Sequence, residues 1–329
     1  MEAGEFSGES KKIIRERMNR IYRAGCLFVL TGFCVASIAS CHRPEPAGTL
    51  PTDSLTSGQI RISVDESFKP VMEEELKIFK SSYPNARIIA SYKTEAECLK
   101  DLESDSTRMI FVTRGLTKEE DDYYRGRLQY PPTYEALAYD AIAVIVNSAS
   151  PDSLLTKEDV AAVLKGKFNK PYTAVFDGLN ATSTVRFALD SILKGGVFDP
   201  AHVYAEKNSM GVIEYVASHP QAMGFVGIGW IGNPEDSDQD KLREKVRIAA
   251  VACDRCPGKP YFEPSQEEIA TGRYPFIRGL YYIKKENYDG LGTGFVNFLE
   301  YQRGQLIFRR AYLVPAILPF VVRNANLVH

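Results

Sequence analysis

Histidine is scarce in this chain: His42, His202, His219 and His329 are the only four among 329 residues. No two of them stand at metal-ligand spacing, which argues against a zinc site. No serine–histidine–aspartate arrangement has a supporting motif. No metal, cofactor or enzymatic activity is therefore expected. An excess of either charge is also lacking, with 40 basic against 42 acidic side chains and a net charge of −2. That balance leaves no basic footprint for nucleic acid. Beyond the first forty or so residues, no apolar run is long enough to cross a membrane. The Gly224-x-x-Gly227-x-Gly229 run lacks the order of a dinucleotide fingerprint and reads instead as close strand–helix packing.

Cysteine is sparse too, and half of it is spent at the front. Of six cysteines, Cys26, Cys34 and Cys41 precede the body, which leaves Cys98 and the Cys253-x-x-Cys256 pair. In an exported chain a short-loop disulfide between Cys253 and Cys256 is expected. A redox role fits less well, because no helix start follows Cys253 and Pro257 interrupts. Arg20 and Arg23 form a basic region, and Cys26–Ile38 is an apolar stretch too short for a span. Ile38-Ala39-Ser40-Cys41 then closes it and resembles a bacterial lipobox, which implies cleavage before Cys41 and lipidation of its thiol. Residues 1–41 thus read as a signal peptide, and the polar stretch before Met18 is compatible with a misplaced start. Residues 42–58, rich in Pro, Ser, Thr and Gly, read as a flexible tether. The expected place is the export side of the inner membrane or the outer membrane, held by lipid and not spanning.

About 270 residues remain, which favours two lobes over one core. Strands and helices alternate through them. Ile60–Val64, Ala86–Ala90 and Met109–Val112 read as strands, with helices at Val71–Phe79, Thr94–Leu102 and Lys118–Arg127 between and after them. Asp140–Asn147 is nearly all apolar, as a strand covered on both faces should be. Next come helix Thr156–Leu164, strand Tyr172–Phe176, helices Thr182–Leu193 and Gly211–Ser218, and strands Met223–Ile228 and Val246–Val251. Arg278–Ile283 returns as a strand and Thr293–Tyr301 as a helix. Alternation at this spacing predicts an α/β fold with a parallel sheet and helices on both faces.

The helix starts divide into two classes. Thr94-x-x-Glu97, Thr117-x-x-Glu120, Thr156-x-x-Asp159 and Ser265-x-x-Glu268 read as capping boxes, whose own acids occupy the end groups. The starts at Ser67-Phe68, Thr182-Ser183-Thr184-Val185-Arg186 and Ser209-Met210 carry no acid in the first turn. A helix start offers free N–H groups and partial positive charge, so an acid-free start suits an anion. Each is equally readable as an ordinary N-cap, and Arg186 as a surface ion pair with Asp190 at i+4. Ligands of open α/β sheets sit beyond the strands' carboxyl ends. Ser67, Phe68, Thr113, Arg114, Asn180, Thr182, Ser183, Thr184, Arg186 and Ser209 are therefore the candidate anion ligands, with Asp177 or Asp140 as candidate proton acceptors.

Four stretches carry a resemblance. They are Met109–Thr117, Asp140–Asn147 followed by Pro151 and a helix ending near Gly166-Lys167, Asn180-Ala181-Thr182-Ser183, and Ala222–Gly227. In order and spacing the chain resembles the substrate-binding proteins of phosphate ABC transporters. That resemblance implies a type II periplasmic-binding-protein fold, two α/β lobes joined by a hinge around a ligand cleft. Residues 59–139 plus 278–329 would form lobe 1 and residues 140–277 lobe 2. It also implies capture of inorganic phosphate by a monomer for a permease in the inner membrane. The departures are specific. Arg114 stands where tight phosphate binders of the family often have an aspartate, and Asn180–Ser183 replaces Gly-Ser-Gly-Thr. A different oxyanion, a phosphorylated small molecule or a protein partner is the alternative ligand.

Overall fold

The computed structural model describes residues 52–178 and 182–317, so Cys41, most of the tether and Asn180 lie outside the described residues. Strand–helix alternation begins as the sequence predicts: β1 Gly58–Asp65, α1 Lys69–Ser82, β2 Ala86–Lys93, α2 Glu95–Leu102, β3 Thr107–Val112 and α3 Lys118–Leu128. Next come β4 Thr133–Asn147, β5 Leu154–Leu155, α4 Lys157–Leu164, β6 Thr173–Phe176 and α5 Ser183–Phe187. They are followed by β7 Val203–Ala205, α6 Ser209–Ser218, β8 Ala222–Gly227, α7 Ser237–Arg243, β9 Val246–Ile248, β10 Ala250–Ala252, β11 Tyr261–Phe262 and α8 Gln266–Ala270. The chain returns through β12 Ile277–Lys284 and ends on α9 Leu291–Glu300, α10 Gln302–Arg310 and β13 Val314–Pro315.

The main sheet runs β2-β1-β3-β12-β4-β8-β6-β7, with β9 and β13 also paired to β4. Its two ends are parallel blocks: β1 with β2 and β3, and β6 with β7 and β8. The centre is not parallel, which corrects the expectation of a parallel sheet. β12 runs antiparallel to β3 and β4, and β4 antiparallel to β8. The cause is the length of β4. At 15 residues it serves both blocks, its first part on β12 and its second part on β8 and β9. Separate apolar cores flank it. One gathers Val144, Phe176, Val212 and Phe225, and the other Val64, Phe79, Phe111 and Phe295. Ala141–Val146 of β4 is fully buried, because helices cover both faces.

Two elements differ locally from the sequence reading. The strand expected over Val246–Val251 breaks at Ala249, whose N–H donates to the carbonyl of Val144, while that of Ala250 turns to Ser153. The edge changes partner there, from β4 to β5. The helix expected over Thr182–Leu193 is α-helical only to Phe187 and continues as a π-helical turn, Ala188–Ile192. Thr94, Thr117 and Thr156 form complete capping boxes. Ser265 forms only half of one, because the Glu268 carboxylate pairs with Arg273 at 2.6 Å. Gly224 lets α6 lie on the sheet: a Cβ there would meet Ile145, Val212 and Val216 at 2.8 Å. Cys253 and Cys256 form a disulfide, and Cys98 is a buried free thiol. Among the described residues no helix is long and apolar enough to cross a membrane.

Candidate functional site

Contacts of Ser67 with Ser183 and of Arg186 with Thr113 link the segments that follow β1, β3 and β6, and β12 and β4 lie between the two parallel blocks in the sheet. The antiparallel register of β12 on β4 places Arg278 directly opposite Asp140. Both side chains are buried, and Nε of Arg278 donates to Oδ2 of Asp140 at 2.8 Å. The guanidinium also lies over the Phe68 ring, 5.3 Å from its centroid. Its Nη1 donates to the hydroxyls of Ser183 at 2.9 Å and Thr184 at 3.4 Å. Its Nη2 is buried without a hydrogen-bond partner. Gly227, at the end of β8, leaves room for this group. A Cβ on Gly227 would meet Nη2 of Arg278 at 3.0 Å, Oδ2 of Asp140 at 3.3 Å and the Ser67 carbonyl at 3.4 Å.

From the first block, a 3₁₀ turn, Glu66–Phe68, leads β1 into α1. This turn corrects one expectation about its helix start. Asp65 caps it, with Oδ1 accepting from the Ser67 N–H at 2.9 Å, so that amide is not free for an anion. The Ser67 hydroxyl instead faces that of Ser183 at 3.2 Å. From the second block, α5 begins behind Thr182, whose hydroxyl accepts from the Val185 N–H. The first amides of a helix have no intrahelical acceptor, which makes those of Ser183 and Thr184 candidate donors. Asp177, at the end of β6, accepts from the Thr184 hydroxyl at 3.4 Å through Oδ2. Its Oδ1, like Oδ2 of Asp65, is buried and has no hydrogen-bond partner.

The remaining predicted residues are committed to other partners. The start at Ser209 is acid-free only in its own turn. Asn208 caps α6, and the Glu66 carboxylate accepts from the Ser209 N–H and, at 2.7 Å, from its hydroxyl. Arg186 donates to Glu95 at 2.6 Å and to the Thr113 hydroxyl at 2.6 Å, and lies 3.6 Å from Asp190. Thr113 itself donates to Glu95 through its N–H and hydroxyl. Arg114 turns away to Glu120 at 2.6 Å, the acid that also completes the Thr117 box. Trp230 adds another tie between the blocks, its indole N–H donating to the Ser67 carbonyl at 3.0 Å.

Sequence reasoning did not select Arg278, Asp65, Glu66 or Glu95. Arg278 had one local signal, a charge inside the otherwise apolar Phe276–Ile283 run, and Asp65-Glu66 is an acidic pair at the end of β1. Their electrostatics follow from burial. Burial pushes the Asp177 carboxyl up to about 7, aided by the charges of Asp65 and Glu66. It also raises Asp65, against the pull of Arg278, and Glu66, against the hydrogen bonds from Ser209. For Glu95 burial acts upward but is outweighed by Arg186 and Thr113, which hold the carboxyl below its ordinary value. Arg278 stays protonated, because Asp140 and Asp65 outweigh its desolvation. Among the described residues no group of three or more His, Cys, Asp or Glu is arranged to hold a metal ion. A surface groove of about 480 Å³ lined by Pro70, Ile78, Gly229 and Leu306 lies apart from this cluster, whose distinction is its buried polar chemistry.

Comparison with known proteins agrees with this architecture. The family described as a PBP superfamily domain matches residues 50–300. The phosphate-binding protein PstS of Pseudomonas aeruginosa is 22% identical over 319 residues, covering 89% of this chain and 93% of that protein. The PstS protein of Borreliella burgdorferi is 20% identical over 262 residues, covering 75% and 86% respectively. Among solved structures, a putative phosphate ABC transporter substrate-binding protein with bound phosphate from Clostridium perfringens superposes with a TM-score of 0.63. It has 20% identity and covers 79% of this chain and 100% of that one. An ABC-type phosphate transport receptor from Vibrio cholerae gives 0.58 at 18% identity, covering 78% and 100%.

Proposed function

Because the chain belongs to the family described as the PBP superfamily domain, we propose that it is an exported substrate-binding protein that captures inorganic phosphate for an ABC importer. The observation that carries this reading is the buried Arg278, which keeps one nitrogen without a hydrogen-bond partner beside the hydroxyls of Ser67, Ser183 and Thr184. A buried guanidinium donor left unpaired is costly, and an oxyanion satisfies it with charge-assisted bonds. In this reading Arg278, the three hydroxyls and the first amides of α5 donate to phosphate oxygens, and Asp177 accepts a phosphate proton. Asp140 holds Arg278 in place. Thr113 and Arg186 act at the rim through Glu95, tying the blocks together, and Arg114 and Ser209 make no ligand contact.

The relatives named as phosphate-binding proteins support this choice of ligand. Residues 59–139 with 278–329 then move as one lobe and 140–277 as the other, the two closing over the anion by a hinge motion. Attachment through Cys41, the tether over 42–58, a monomeric state and an inner-membrane permease as partner belong to the same reading. So does the absence of catalysis: the site binds and releases its ligand unchanged.

The test is calorimetric titration of dialysed protein with phosphate and sulfate in parallel, backed by thermal melts. Phosphate should bind at micromolar concentration or below, and at a hundred times Kd should stabilise the fold by about 2.7 kcal/mol. No heat and no thermal shift at millimolar phosphate would overturn the proposal.

A further inference from the structure

We propose that the site takes its anion in the singly charged, doubly protonated form, H₂PO₄⁻ in preference to HPO₄²⁻, so that capture is linked to protons; this rests on the phosphate reading above. The argument is a count of charges and of hydrogen-bonding groups. Five carboxyl groups face the cluster: Asp65 and Glu66 at the end of β1, Glu95 at the start of α2, Asp140 on β4 and Asp177 after β6. Among the described residues only two guanidinium groups answer them, Arg278 on β12 and Arg186 on α5. Each is already engaged, Arg278 with Asp140 at 2.8 Å and Arg186 with Glu95 at 2.6 Å. Asp65, Glu66 and Asp177 have no ion pair of their own, only the longer-range pull of Arg278 on Asp65 and Asp177 and of Lys69 on Glu66. The other groups nearby do not redress this. Lys69 on α1 is partly exposed and pairs with Glu73 at 4.0 Å, Cys98 on α2 has its thiol pushed up by burial and stays neutral, and Glu206 beside Gly211 adds a further acid. A dianion would therefore enter a buried site that already disfavours negative charge, as the raised Asp65, Glu66 and Asp177 carboxyls show.

The unpartnered atoms point the same way. Oδ2 of Asp65, Oδ1 of Asp140 and Oδ1 of Asp177 are buried acceptors, and Nη2 of Arg278 is a buried donor. H₂PO₄⁻ brings two O–H donors for two of these three carboxylate oxygens and two bare oxygens for the guanidinium and the hydroxyls. HPO₄²⁻ has a single O–H and would leave two of these buried carboxylate oxygens without a donor. Sulfate has no O–H at all. The elevated Asp177 carboxyl, raised to about 7 by burial and its acidic neighbours, reflects the same surplus of negative charge.

The experiment is titration calorimetry of the full chain with inorganic phosphate from pH 5.5 to 8.5, at each pH in two buffers of different ionisation enthalpy. One linked proton predicts an apparent Kd that weakens about tenfold per pH unit above neutrality. The buffer-dependent heat should correspond to uptake of about one proton per phosphate at pH 8. Asp177→Asn removes one surplus negative charge and should flatten that dependence by admitting the dianion. A wild-type affinity flat across the range without buffer-dependent heat, or one that tightens at alkaline pH, overturns the inference and leaves phosphate capture standing. Sulfate binding as tight as phosphate also overturns it. Absence of phosphate binding down to pH 5.5 overturns the inference together with the reading it rests on.

Discussion

Glu75 offers a clean test of how burial is handled in this fold. It lies on the inner face of α1 with Val71, Met72 and Phe79, is 0% exposed, and neither carboxyl oxygen has a hydrogen-bond partner. Burial raises its pKa from 4.5 to about 9, so the folded protein holds this acid protonated at neutrality. The sign follows from linkage. The native state binds the proton more tightly than the unfolded chain, so stability is highest below pH 4.5 and falls as pH rises towards 9. At pH 7 the unfolded side chain is ionised some 2.5 units above its own pKa, and at ~1.36 kcal/mol per unit the penalty is about 3 kcal/mol. Glu75→Met replaces the acid with an apolar side chain of similar shape that retains helix propensity. Urea unfolding should show the variant more stable by about 1 kcal/mol at pH 5.5, about 3 at pH 7 and about 5 at pH 8.5. A difference that does not grow with pH, or a variant less stable than the parent at pH 8.5, refutes the reasoning.

Two further perturbations act on the candidate site. Arg278→Met leaves Asp140 as a buried carboxylate without its cation and should cost about 3–5 kcal/mol in urea unfolding. Adding Asp140→Leu should restore most of that stability without restoring phosphate binding, and a double variant that still binds phosphate tightly would remove Arg278 from the ligand set. Trp230→Phe removes the indole donor to the Ser67 carbonyl, a bond of 3.0 Å between the two blocks. A net ~0.5–1.5 kcal/mol corresponds to a phosphate affinity weaker by a factor of roughly 2 to 10. Unchanged affinity by calorimetry would show that this tie does not help hold the site together.

What was legible in the sequence was local. The boxes at Thr94, Thr117 and Thr156 join residues three apart, and each forms as the spacing dictates. The apolar run in β4 predicts its own burial, because a strand covered on both faces has no polar side to show. The alternation of strand and helix gave the parallel blocks. It could not reveal β4 and β12 running antiparallel between them, because pairing direction depends on which distant strand arrives beside which.

The same limit explains the site. Reading three helix starts as open to an anion rested on the acids within each first turn, a count that sees only a few residues. The Glu66 carboxylate that occupies the start at Ser209 comes from 143 residues away. Glu95, which takes Arg186, comes from 91 residues away. At Ser67 the limit is shorter, since its amide is taken by Asp65, two places before the acid-free start. At the start Ser183-Thr184 the long-range partner is Arg278, which donates to the Ser183 hydroxyl across 95 residues. A lone arginine in an apolar strand is therefore the stronger sequence signal. Burying a guanidinium requires a carboxylate and several acceptors to be assembled around it, and here Asp140, Ser183 and Thr184 were. Acid-free helix ends need no such assembly, which is why their absence of acids said little until the long-range partners were known.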